Sequence, residues 1–293
     1  MNTRTLLWAV ALSTLSLTTA TSCTQSPNGK LGEELSILGT DKDDLRNSEK
    51  WGNVEEKQIQ VRDFDRIQAS GNVKIYFTQG NDCHVTVKAN HKVFEYLTVN
   101  SEKGELNVHS QNGNLRPIPV AIVYVSAPRL TAIHGMGATD IKLKQPVTLD
   151  SDLELKVSGA CDIDIKTLKC KKLSIALSGA GDIDMDKVTA QTADLNLSGA
   201  GDIDVKSMDL TGNANLNVSG SGDIDAMLSC NTLKVTVNGA GDAEIDVKAN
   251  TIEATANGTG DIELEGRTRR LVKRESGLGS IRTKKLSAEK IEM

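Results

Sequence analysis

Aromatic residues are nearly absent from this sequence, at 3% of 293 residues, with three Phe, three Tyr and two Trp. That excludes a core organised around large rings; Val, Ile, Leu and Ala must supply it. Pro is scarce too, at 5 against 25 Gly, which excludes a Pro-rich disordered chain. Five Cys and four His, with no C-x-x-C and no clustered His, match no zinc pattern. Positive charge is not in excess, since the net charge is −5, and this argues against a nucleic-acid partner.

The sequence opens with an export signal. Arg4 is followed by a mostly apolar stretch over residues 6–17, too short to cross a bilayer as a helix. Ala20-Thr21-Ser22-Cys23 then resembles a bacterial lipobox, with Ala20 where Leu is usual. The resemblance implies removal of residues 1–22, lipidation of Cys23 and attachment to a membrane. Removing Arg4 takes the net charge from −5 to −6. An ordinary secretory signal cleaved nearby is the alternative, and either one exports the protein. Residues 23–52 are polar and charged, as in a flexible tether. The remaining Cys83, Cys161, Cys170 and Cys230 read as free thiols, although an exported protein could pair them.

Strand chemistry begins after the tether. Val73, Ile75 and Phe77 alternate with polar residues, as do Val85 and Val87. Residues 97–99, 106–108 and 120–125 give three more strands, the last apolar enough to be covered on both faces. Residues 53–130 are thus an N-terminal β part. From residue 131 to 286 the chain repeats itself, in VSGACDIDIK, LSGAGDIDMD, LSGAGDIDVK, VSGSGDIDA, VNGAGDAEID and ANGTGDIELE, with a tail at 287–293. The first Gly of successive copies falls at 135, 159, 179, 199, 220, 239, 258 and 277. A period of about 19–21 residues with two or three short strands predicts an all-β solenoid, each coil stacked about 4.8 Å above the last. The 64 residues between Gly71 and Gly135 leave room for about three longer coils of the same kind.

Three inward ladders are legible: Ile163, Ile183, Ile203, Ile224, Ala243, Ile262; then Ile165, Met185, Val205, Ala226, Ile245, Leu264; then Val157, Leu177, Leu197, Val218, Val237, Ala256. The L-x-x-L-x-L spacing of a leucine-rich repeat is absent. The strands are also half the length that a membrane barrel needs.

The repeated Gly-x-Gly-Asp is not a phosphate loop, since no Lys-Ser or Lys-Thr and no helix follow it. Gly159, Gly179, Gly181, Gly199, Gly201, Gly220, Gly222, Gly239, Gly241, Gly258 and Gly260 are expected to serve a sharp corner through positive φ. Coils carrying Cys161 or Ala138 at the second Gly and its neighbourhood should turn differently. Asp182, Asp202, Asp223, Asp242 and Asp261 should stack above Asp162, and they are weak candidates for a divalent cation such as calcium. Their position differs by one residue from that of calcium-binding β-rolls. Stacked carboxylates repel by about 0.9 kcal/mol per neighbour in water, which hydrogen bonds from corner amides can offset. Asp164, Asp184, Asp204, Asp225, Glu244 and Glu263 form a second row, expected to be solvated near Lys166, Lys187 and Lys206. Ser158, Ser178, Ser198, Ser219, Asn238, Asn257 and Ser276 should hydrogen-bond along the coil axis.

His84, His91, His109 and His134 all lie at or before residue 134 and form no catalytic spacing. The near-constant gaps after Gly159 leave no room for the inserted loops that carry catalytic groups in β-helix lyases. No cofactor is expected. Residues 267–290 hold nine Lys or Arg and two acids. This is the charge of a repulsive end cap or, alternatively, of a patch for an acidic glycan or lipid headgroup.

FDRIQASGNVKIYFTQG, KGELNVHS, VYVSAPRLTAIHGMGATDI and the SGAGDID coils, in that order over roughly residues 55–285, resemble the family of the auto-transporter adhesin head GIN domain. The resemblance implies an exported bacterial protein with a right-handed parallel β-helix, associated with adhesion but with no defined ligand or catalytic residues. The expected function is a non-enzymatic envelope module that presents a rigid surface to a glycan or surface protein. A carbohydrate-active β-helix enzyme and a purely structural spacer are the alternatives.

Overall fold

The computed structural model describes Leu45 and residues 49–111 and 118–293. The lipobox with Cys23, and nearly all of the expected tether, lie outside these residues. Strands β1 (Val54–Ile59), β2 (Arg66–Ser70), β3 (Val73–Gln79), β4 (His84–Asn90), β5 (Leu97–Glu102), β6 (Glu105–Ser110) and β7 (Ala121–Ala127) form the N-terminal part. Then follow β8 (Ala132–Met136), β9 (Thr139–Leu143), β10 (Val147–Thr148), β11 (Leu153–Ser158), β12 (Asp162–Lys169) and β13 (Lys172–Leu177). The regular coils continue as β14 (Ile183–Ala190), β15 (Thr192–Leu197), β16 (Ile203–Leu210), β17 (Asn213–Val218), β18 (Ile224–Val237), β19 (Ala243–Ala256), β20 (Ile262–Glu275) and β21 (Ile281–Glu292).

From β8 onward each strand pairs in parallel with its copy one coil away, which makes a parallel β-solenoid. Each eight-residue strand bends in its middle. In β14, Ile183 and Met185 point inward, two outward residues turn the corner, and Val188 and Ala190 point inward again. With the six-residue strand that follows, every coil has three sides. All three predicted ladders are in register and buried, for example Ile163–Ile183–Ile203–Ile224–Ala243–Ile262. The first continues through Ile75 and Ile141 below and Ile281 above. β-Branched and Leu side chains at period two thus form one continuous aliphatic core, without large rings in the repeats.

The N-terminal part joins this solenoid in an order the repeats do not announce. β2 lies between β6 and β8, and β3 between β7 and β9, all parallel. The chain therefore does not climb through three successive coils from Gly71 to Gly135. It lays β6 and β7 beneath β2 and β3, then returns above them. Antiparallel β5 closes one side against β6, and antiparallel β4 and β1 close another against β7. β7 is buried on both faces, as its composition predicts, with Tyr124 stacked on Tyr76 at 5.6 Å between ring centroids. At the other end the expected tail at 287–293 is strand as far as Glu292, paired with β20.

Candidate functional site

The glycines serve the corners through clearance rather than through positive φ. Of the expected corner glycines only Gly159 has a positive φ, at 86°. A Cβ on Gly179 would lie 1.9 Å from the carbonyl oxygen of Gly159, and one on Gly201 2.0 Å from that of Gly181. The corner stacks so closely that no side chain fits between its layers. The stack also re-registers the first copies. Gly137, not Gly135, lies beneath Gly159, and Gly71 lies beneath Gly137. Gly135 sits inside β8, where a Cβ would meet the Cys161 sulfur at 2.1 Å. Cys161 thus turns inward and fills the space that Gly135 leaves.

Beside each corner glycine the Asp row is tied to the next coil. The amides of Asp182, Asp202, Asp223, Asp242 and Asp261 donate to Oδ1 of Asp162, Asp182, Asp202, Asp223 and Asp242, at 3.1, 3.0, 2.8, 2.7 and 2.6 Å. The last carboxylate, Asp261, accepts from the amide and hydroxyl of Ser280 and from Arg282, and these bonds hold it below the usual carboxylate range. Amide donation to each carboxylate offsets the repulsion along the row. The cation candidates are therefore corner acceptors. Among the described residues no group of three or more His, Cys, Asp or Glu is placed to hold a metal ion. The Ser and Asn row bonds along the axis as well. Ser178 Oγ donates to the Val157 carbonyl at 3.1 Å, and Asn257 Nδ2 donates to Asn238 Oδ1 at 2.8 Å.

The second acidic row runs in register from Asp164 to Glu263 on the outer face of the first side. Partial burial, then the neighbouring carboxylates, push Asp184 and Asp225 up from the ordinary carboxylate value. Lys166 and Lys206 lie near this row, but their ion pairs are made elsewhere. Lys166 and Lys206 both bind Asp186, two positions further along the strand, each at 2.7 Å, and pull it down to about 2. Lys187 is exposed.

The middle side carries a different surface near the C-terminal end. Ser229, Asn231, Lys248, Asn250, Arg267 and Arg269 line a polar hollow there, with Ser287 and the single carboxylate of Glu289 at its C-terminal edge. The sequence shows the charge of Arg267 and Arg269. It does not show the hollow, which arises because the register stacks Ser229, Lys248 and Arg267 in one column, with Asn231, Asn250 and Arg269 two positions further along their strands. Elsewhere in the basic stretch, Arg270 binds Glu292 at 2.6 Å and Lys285 binds Glu265.

The histidines stand apart from one another. His91 Nδ1 lies 2.7 Å from Glu55, His109 Nδ1 2.7 Å from the Ser70 hydroxyl, His134 Nε2 3.2 Å from Glu154, and His84 Nδ1 3.3 Å from the Gln58 amide. Cys83, Cys161, Cys170 and Cys230 are free thiols. Burial pushes Cys161 up to about 12, and Cys170 and Cys230 up to about 11, which disfavours their thiolates. No helix among the described residues is long and apolar enough to cross a membrane.

Solved structures share this fold. A crystal structure described as a putative adhesin from Parabacteroides distasonis aligns with TM-score 0.69 and 22% identity over 79% of this chain and 97% of its own. One described as a putative lipid binding protein from the same species aligns with TM-score 0.68 and 21% identity over 79% and 96%. A putative adhesin from Bacteroides fragilis aligns with TM-score 0.61 and 21% identity over 81% and 99%. No curated protein matches the sequence. The description "Putative auto-transporter adhesin, head GIN domain" matches residues 63–229 and 224–293, and the chain belongs to that family.

Proposed function

We propose that this is an exported, lipid-anchored binding module of the cell envelope, non-enzymatic, whose solenoid presents its middle side to an acidic glycan. The observation that carries the reading is the hollow around Lys248, Arg267 and Arg269, where three cations and the amides of Asn231 and Asn250 converge on one concave surface. Guanidinium and ammonium donors beside neutral amides suit carboxylated or sulfated sugars. The adhesin family supports a binding role. The corners of five residues or fewer between regular coils support the absence of catalysis, because they carry no inserted loop. A glycan array probed with the protein should light up acidic glycans and not their neutral counterparts. Arg267→Ala with Arg269→Ala should abolish that signal while leaving the fold intact. An array with no acidic-glycan signal sinks the reading.

The anchor has its own test. Cys23→Ser should move the protein from the membrane fraction to the soluble fraction of the cell envelope. Unchanged membrane association would show that Cys23 does not carry the lipid.

A further inference from the structure

Among the described residues, β21 has β20 as its single partner, so its outer edge is open for 12 residues. The edges at the opposite end, β1 and β5, are six residues each and belong to antiparallel strands that close the stack. A long open edge is a template for another strand. It also leaves apolar groups uncovered. Ile291 stands directly above buried Leu271 yet is 54% exposed, and Leu286 and Ala288 are only partly buried.

The sequence of β21 is symmetric about Ser287 in the property that matters for pairing. The register with β20 places Ile281, Leu286, Ala288 and Ile291 on the inner side. Two outward residues, Lys284 and Lys285, turn the corner before Leu286, and two more, Glu289 and Lys290, turn it after Ala288. An extra residue in β21 between its pairings with Glu263 and Glu265 creates the first of these corners and completes the symmetry.

We propose that two copies of this chain join end to end through β21, antiparallel, about a twofold axis at Ser287. In that register Leu286 meets Ala288 and Thr283 meets Ile291, all on the inner side, so the core of one solenoid runs into the core of the other. On the outer side Arg282 faces Glu292 of the second copy and Lys285 faces Glu289. Only Lys284 opposite Lys290 sets like charges together, so attractive pairs outnumber repulsive ones. A slip of one residue would set inward groups against outward ones and put the corners out of phase. The contact is isologous, so it closes at two copies rather than growing into a fibre.

Ser287→Cys in the full chain, kept in detergent, tests the axis. Directly opposed antiparallel residues have Cα atoms about 4.5–5.5 Å apart, within disulfide range. Oxidation should give a reducible covalent dimer. Ser229→Cys, in the same column three strands back, should not. Linking of Ser287→Cys no greater than that of Ser229→Cys overturns the proposal. Sedimentation supplies an arm that needs no new thiol. The native chain should associate to dimers, Lys285→Glu should weaken the dimer about tenfold, and adding Glu289→Lys should restore it. A native chain that sediments as a monomer at all concentrations, or a double variant that does not recover, also overturns it.

Discussion

Gly201→Ala is expected to destabilise the solenoid by about 3 kcal/mol or more, the upper end of what overpacking costs. The added Cβ would lie 2.0 Å from the carbonyl oxygen of Gly181 and 2.8 Å from its carbon. Both are backbone atoms of the neighbouring coil, tied by the corner hydrogen bond from the Ala200 amide to the Gly179 carbonyl at 2.9 Å. Neither can rotate away as a side chain would. Relief requires opening the spacing between coils, and that stretches the Asp182–Asp202 bond beside the corner. For a domain of this size the loss corresponds to a fall of roughly 6–12 °C in Tm. Ala200→Ser, one residue earlier and exposed, should change stability by less than about 0.5 kcal/mol. Equal effects from the two variants, read by thermal melting, would refute the clearance role of the glycine.

The second large effect is expected in the core. Ile203 is fully buried and stacked between Ile183 and Ile224. Ile203→Ala removes three carbons from a column with no large ring nearby to move into the space, so a loss of about 2–5 kcal/mol is expected, against about 1 kcal/mol for Ile203→Val. Each coil touches only its neighbours, so the defect weakens two interfaces at once. Denaturant titration of the Val and Ala variants should give this graded order. An Ala variant as stable as the Val variant would mean that the column is not packed as described.

These two sites also show what the sequence makes legible. The Ile203 column can be read directly, because a strand alternates with period two and a coil repeats with nearly fixed length, so burial is periodic twice over. The service of Asp202 as an acceptor for the next corner amide follows from the residue type at a corner. The reason for Gly201 does not. The letters show that a glycine is needed, and both positive φ and lack of space demand one. Only the layer spacing separates the two. The misplaced first copy has a similar origin, since the sequence offers both Gly135 and Gly137, and only the stacking of Gly137 beneath Gly159 decides between them. The hollow at Arg267 was hidden for a related reason: its residues sit in three coils, 19 residues apart, and become a surface only through the register.

The interleaving of the N-terminal strands bears on how this molecule comes to be folded. β2 and β3 come early in the sequence, but both of their edges are covered by later segments, β6 and β7 on one side and β8 and β9 on the other. They cannot seed a coil-by-coil zipper while the chain emerges. Two open, apolar edges must wait until residues as distant as Leu143 are available. The ring closure from β3 to β9 then carries most of the entropic cost of starting the stack. Once it is closed, every later coil adds by contacts only about 20 residues apart. Slow initiation followed by fast elongation is thus written into the order of the strands, and the vulnerable interval for misassociation falls before the first SGAGDID repeat has formed its corner.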